Sequence, residues 1–180
     1  MLATLVKEPF DNKDWAYEVK WDGYRALAYI GDAKAELYSR NNKSFTEKYY
    51  PLISAMQQWK LNVVLDGEIL VIGDDGKANF GALQNWRSEA DGHLVYYAFD
   101  ILWHDGEDLM ELPLKERQQI LSNVLPKNDD RIRLSEVFTG SGTDFFLAAQ
   151  KMGLEGVMAK RLDSAYLPDN RSCDWLKIKV

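Results

Sequence analysis

The segment Val63-Val64-Leu65-Asp66-Gly67-Glu68-Ile69-Leu70-Val71-Ile72 restricts the possible folds more than any other part of the chain. Its apolar positions are mostly Val and Ile, β-branched side chains that suit a pleated sheet. The run is far shorter than the ~18 apolar residues of a membrane span. Two carboxylates interrupt it, and a buried carboxylate is costly unless it is paired or bound to a cation. Two readings follow. In one, strands Val63–Leu65 and Ile69–Ile72 flank a hairpin turn at Asp66-Gly67, a strong turn signal. In the other, the sheet carries charge at a site.

The rest of the chain alternates between strand and helix patterns. Strands are predicted at Trp15–Trp21, Arg25–Ile30 and Ala35–Ser39, with a turn at Gly31-Asp32. Glu47–Trp59 reads as a helix with Tyr49, Leu52, Ile53, Met56 and Trp59 on one face. A turn is expected at Asp74–Lys77, a short helix at Phe80–Arg87 and a strand at Leu94–Trp103. Pro113 opens a helix at Leu114–Val124. Arg131–Val137 reads as a strand, and Asp144–Met152 as a helix capped by Thr143. Gly156–Lys160 and Trp175–Val180 are the last strands. No βαβ repeat, internal repeat or linker is visible, so the expected class is α+β in one domain of 180 residues. The chain stops within its last strand, which suggests a piece of a longer protein.

Twenty-two basic against 28 acidic residues give a net charge of −6. That argues against a basic protein that coats DNA, although a local basic face remains possible. Cys173 is the single cysteine, which excludes an internal disulfide and a paired-cysteine zinc site. His93 and His104 lack metal-ligand spacing. With neither a leader nor a membrane span in view, the expected compartment is a reducing cytoplasm.

Chemistry concentrates in a few segments. In Glu18-Val19-Lys20-Trp21-Asp22-Gly23-Tyr24-Arg25, a lysine sits in an aromatic, strand-like stretch where it could serve as a nucleophile. A plain hairpin with solvated charges is the other reading. In Gly153-Leu154-Glu155-Gly156-Val157-Met158-Ala159-Lys160, charges stand at the two ends of an apolar strand, as they would if they only marked those ends. In Trp175-Leu176-Lys177-Ile178-Lys179-Val180, period two puts Lys177 and Lys179 on one face, suited to a phosphate or to solvent.

The order of these segments is more specific than any one of them. Lys20-Trp21-Asp22-Gly23-Tyr24-Arg25, Ser39-Arg40, Asp66-Gly67-Glu68, Phe99-Asp100, Glu155 to Lys160 and Trp175 to Lys179 together resemble the covalent nucleotidyltransferases. Among these the chain is similar to the ATP-dependent DNA ligases, and in particular to the ligase module of bacterial non-homologous end-joining ligases. The resemblance spans nearly the whole chain. It implies an ATP-grasp-like nucleotidyltransferase domain over residues 1–180, with two antiparallel β-sheets, flanking helices and a nucleotide pocket between them. It implies that Lys20 attacks the α-phosphate of ATP and carries AMP as a covalent adduct. AMP then passes to the 5′-phosphate of nicked double-stranded DNA for sealing, in DNA repair and recombination.

The same resemblance assigns the remaining positions. Glu18 accepts a hydrogen bond from the adenine amino group, and Phe99 stacks on the base, with Val157 or Met158 covering its other face. Glu68 falls at the ribose position. Arg25 and Arg40 fall at nucleotide and DNA phosphate contacts, and Lys177 and Lys179 at phosphate-binding positions. Glu155 falls at the carboxylate that holds Mg2+ or Mn2+. The family's following OB-fold domain is absent from this chain and is an expected partner, as are fused end-joining modules; a membrane is not. The expected place is the bacterial cytoplasm, at the nucleoid. An RNA ligase or capping-type nucleotidyltransferase, or a non-catalytic nucleotide- or DNA-docking module, remains an alternative.

Overall fold

The computed structural model describes residues 1–73 and 75–180, which form two compact units. The first unit comprises Met1–Trp21, Met110–Arg117 and Ser135–Val180. Its sheet has four strands: β1 (Leu2–Val6), β2 (Trp15–Val19), β9 (Gly156–Arg161) and β10 (Arg171–Lys179), in the order β1-β10-β9-β2. β2, β9 and β10 pair antiparallel, and β1 joins β10 in parallel. One face carries Tyr17, Val157, Ala159 and Leu176. These pack on Phe145, Phe146 and Ala149 of helix α4 (Gly142–Lys151). Period-two alternation therefore leaves the other face for Glu18, Met158, Lys160, Trp175, Lys177 and Lys179.

The second unit comprises Asp22–Leu109 and Gln118–Leu134. Its six-stranded sheet contains β3 (Tyr24–Gly31), β4 (Lys34–Ser39), β5 (Val63–Ile72), β6 (His93–His104), β7 (Glu107–Asp108) and β8 (Ile132–Leu134). The path is β4-β3-β5-β6-β7, all antiparallel, and β8 pairs with β6 in parallel. Helix α1 (Tyr50–Gln57), with Pro51 in its first turn, contributes Leu52, Ile53 and Met56 to the core. Buried Ala26, Ala28, Ile30, Leu37, Leu65, Ile69, Tyr96, Ala98 and Ile101 form the core face of the sheet. Helix α2 (Phe80–Asn85) buries Leu83. Helix α3 (Leu114–Val124) starts after Pro113, as the sequence predicts.

Several expectations need correction. Val63–Ile72 is one unbroken strand, and Asp66-Gly67 does not turn. Gly67 lies against Tyr96, where a Cβ would run into the ring and into the Tyr97 carbonyl. The glycine therefore serves close packing within the sheet rather than a turn. α4 starts earlier than predicted and is capped by Ser141, whose hydroxyl accepts the Asp144 amide at 3.1 Å, instead of by Thr143. α1 is shorter than Glu47–Trp59, and the strand expected at Arg131–Val137 is reduced to Ile132–Leu134. β1 and β7 were not predicted. Both sheets are mixed, since each contains one parallel pair. Of the turn at Asp74–Lys77, Asp74 lies outside the described residues; the rest closes through Gly73 N–H to the Lys77 carbonyl at 2.8 Å. Among the described residues no helix is long and apolar enough to cross a membrane.

Candidate functional site

In the first unit, the register of β10, β9 and β2 sets side chains in rows across the sheet. Trp175, Lys160 and Ala16 form one row, and Lys177, Met158 and Glu18 the next. The third row is Lys179, Gly156 and Lys20, because the Lys20 amide donates to the Gly156 carbonyl at 2.9 Å and continues the ladder past Val19. Gly156 has no side chain, and a Cβ there would meet the Ile178 carbonyl. The Lys20 ammonium donates to Glu155 Oε2. Lys179 Nζ approaches Glu155 Oε1 at 3.7 Å. One carboxylate thus holds two of the lysines singled out from the sequence. Lys177 is half-buried on the same face.

Glu18 is 2% exposed, and its Oε2 accepts from Lys160 Nζ at 2.8 Å. Lys160 is equally buried and also lies over the Trp175 ring, 4.4 Å from its centroid. A charge that only marks a strand end is one reading of Lys160 from its segment alone; the structure disfavours it, because the side chain turns inward to a buried carboxylate.

In the second unit, Arg25, Glu68 and Tyr97 occupy one row, and Leu27, Asp66 and Asp100 the next. The register shifts between these rows, where one step on β5 spans two on β6 and Phe99 is the extra residue. Such a bulge re-aims a side chain. Arg25 lies over the Phe99 ring at 5.6 Å and binds Asp66 through Nε at 2.9 Å and a terminal nitrogen at 2.5 Å. This two-pronged geometry fixes the guanidinium in orientation as well as position. Asp66 and Asp100 are fully buried, and the sequence reading missed both as site residues. The signal was present in the cost of an acid within an apolar run, since a buried acid needs a partner and Asp66 has Arg25. Glu68 is half-buried, and Arg40 is exposed in the turn after β4.

The structure thus brings Lys20, Glu155, Lys179, Lys177 and Glu18 onto one sheet face, and Arg25, Glu68 and Phe99 onto another. Arg40 joins neither set. Chemically, the first set offers an amine, a carboxylate beside it and lysines suited to phosphate oxygens. The second offers an aromatic ring and a fixed guanidinium.

The family model of the ATP dependent DNA ligase domain matches residues 1–179. The chain belongs to this family. It is 40% identical over 181 residues to the multifunctional non-homologous end joining protein LigD of Pseudomonas aeruginosa. That match covers 99% of this chain and 21% of the relative. It is 33% identical to the SPbeta prophage-derived DNA ligase-like protein LigB of Bacillus subtilis, covering 99% of this chain and 66% of that one. A mycobacterial DNA ligase D, solved in complex with ATP and MES, superposes with a TM-score of 0.89 at 34% identity; the match covers 99% of this chain and 58% of that one. The chain therefore spans between a fifth and two thirds of the length of these relatives. These ligase structures share the mixed α+β fold described above.

Proposed function

We propose that this chain is the adenylating portion of an ATP-dependent DNA ligase, acting in the whole protein together with an OB-fold domain. The observation that carries the reading is the Lys20–Glu155 ion pair on a sheet face that also bears Glu18, Lys177 and Lys179. Lys20 Nζ, once deprotonated, attacks the α-phosphorus of ATP. A P–N bond forms, the bond from the α-phosphorus to the bridging oxygen breaks, and pyrophosphate leaves with the electron pair. The AMP held on Lys20 then passes to the 5′-phosphate of nicked DNA, and the 3′-hydroxyl displaces it to seal the strand.

The remaining assignments rest on residue chemistry. Lys177 and Lys179 neutralise phosphate oxygens. Phe99 offers a flat face to adenine, and Arg25, held by Asp66, offers a forked donor to phosphate. Glu18 accepts from the adenine amino group, and Glu68 serves the ribose hydroxyls. Arg40, exposed in the turn after β4, serves DNA phosphate.

Among the described residues, no three His, Cys, Asp or Glu side chains converge. A hard cation held by one carboxylate and completed by substrate phosphates and water fits that donor set, and Glu155 is the carboxylate in place. Mg2+ or Mn2+ bound there would offset charge on the α-phosphate.

Incubating the protein with ATP or GTP and measuring its intact mass tests the reading. A single AMP adduct is expected, and it should vanish in Lys20→Ala while the melting temperature stays close to that of the parent. A GMP adduct would point to capping chemistry, and an undiminished adduct in Lys20→Ala would remove Lys20 as nucleophile.

A further inference from the structure

Lys20 lies just past the end of β2, and the ends of an element open more readily than its middle. It is nonetheless flanked by hydrogen bonds along both edges of its strand. On the β9 side, its amide donates to the Gly156 carbonyl at 2.9 Å and its ammonium to Glu155. On the other side β2 is the last strand in the sheet order, and the segment that follows β8 runs there instead. Tyr17 and Phe138 exchange both backbone hydrogen bonds across that edge, each at 2.8 Å, as an antiparallel bridge. Three residues on from Tyr17 is Lys20, and three back from Phe138 is Ser135. There the Trp21 indole N–H donates to Ser135 Oγ at 3.2 Å.

Two features set this bond apart from an ordinary surface contact. Ser135 is 1% exposed, and a hydroxyl buried that far is costly unless it is paired. The Trp21 nitrogen only donates, so the bond orients the indole as well as satisfying the serine oxygen. The two residues also stand at matching places in the chain. The opening segment of the first unit ends at Trp21, and its closing segment begins at Ser135. The bond therefore ties together, within one unit, the two stretches of chain that border Lys20 on its outer edge. A tryptophan that only filled space would need no hydroxyl opposite its nitrogen.

We propose that Trp21, seated on Ser135, is a positioning residue for Lys20. It acts through the backbone: by fixing the end of β2 it keeps the amine in line with the bond that breaks at the α-phosphorus. This rests on the reading of Lys20 as the nucleophile. An in-line attack tolerates little displacement, and a shift of about 1 Å can cost on the order of 100-fold in rate. Affinity for ATP draws instead on the base, ribose and phosphate contacts assigned above. Losing the Trp21–Ser135 bond therefore slows the formation of the P–N bond and leaves the binding of ATP unaltered.

The test is single-turnover formation of lysyl-AMP from ATP labelled at the α-phosphate, followed over a range of ATP concentrations. Trp21→Phe keeps an aromatic ring and removes the donor, and Ser135→Ala removes the acceptor. Each should lower the rate at saturating ATP about tenfold or more, with the half-saturating ATP concentration and the melting temperature close to those of the parent. Because both changes break the same bond, the double variant should be no slower than the slower single one. In case Trp21→Phe folds poorly, Ser135→Ala alone carries the comparison, since it leaves the indole in place. A parent-like rate in Ser135→Ala overturns the proposal. So do losses that multiply in the double variant, or a loss confined to the half-saturating concentration. A parent protein that forms no adduct, or one whose adduct survives Lys20→Ala, overturns instead the reading of Lys20 on which this rests.

Discussion

At the scale of single residues, the site depends on which side chains are held and by what. Lys20 was conspicuous in the sequence because an amine within an aromatic strand, followed by Asp-Gly and Arg, is an unusual combination, and the ordered motifs single it out as the proposed nucleophile. Lys160 was not, because a lysine at the end of an apolar strand looks like a solvated marker; only the register shows it one row from Glu18. Phe99 was singled out through the resemblance as the proposed base platform, but the bulge at which it sits leaves no mark in the sequence. Phe99 is half-buried, and its ring faces the Arg25 guanidinium. Base stacking on an aromatic side chain is worth roughly 1–3 kcal/mol, or about 5- to 150-fold in affinity. Phe99→Ala should weaken ATP binding by such a factor in calorimetry while the melting temperature falls little. A core phenylalanine would behave in the opposite way, losing about 3–5 kcal/mol of stability with affinity unchanged.

At the scale of elements, the α+β class and most strands were readable from alternation, and boundaries failed where a local signal met a tertiary one. Asp66-Gly67 is a strong hairpin signal, yet β5 runs straight through it. Asp66 is taken by Arg25, and the Tyr96 hydroxyl crosses the sheet beside Gly67 to the Ala26 and Leu65 carbonyls at 2.9 and 3.3 Å. Gly67→Ala should therefore destabilise by about 1–3 kcal/mol through overpacking. A lower urea midpoint with an unchanged slope would report it, and an unchanged midpoint would mean the strand can shift. α4 starts two residues before its expected position because Ser141 and Thr143 both suit the cap. The start of α4 is also tied to Asp11, whose Oδ1 accepts from the Thr143 amide at 2.9 Å and the Ser141 hydroxyl at 3.0 Å. The Thr143 N–H is the largest cause holding the Asp11 carboxyl below its usual value of 3.8, with Ser141 adding to it. A depressed carboxyl stabilises the fold above its unfolded value and loses that contribution as pH falls through the folded value. Asp11→Ala should thus lower the melting temperature at pH 7, and the difference from the parent should close in acid, as pH falls below the carboxyl's usual value of 3.8. A gap that persists in acid would assign the effect to packing.

At the scale of the whole molecule, the proposed role requires a chain of net charge −6 to grip DNA with few cations against a repulsive field. Binding to nicked duplex should be weak and steeply dependent on salt, with the logarithm of affinity falling by about 0.9 per phosphate neutralised for each unit of log salt. Arg40 stands exposed after β4. Arg40→Ala should flatten that slope by about one and leave melting unchanged, as read by fluorescence anisotropy at several salt concentrations; an unaltered slope would remove Arg40 from the DNA contact. The pairing of β1 with β10 has a consequence for how the protein comes into being. Two strands more than 160 residues apart in sequence are neighbours, so the sheet that carries Lys20 cannot close until the whole stretch between them has emerged from the ribosome. At about 5–20 residues per second of synthesis, β1 waits on the order of ten seconds for its partner. Through that interval Leu2–Val6 is an unpaired apolar strand, open to capture by a neighbouring chain or a chaperone.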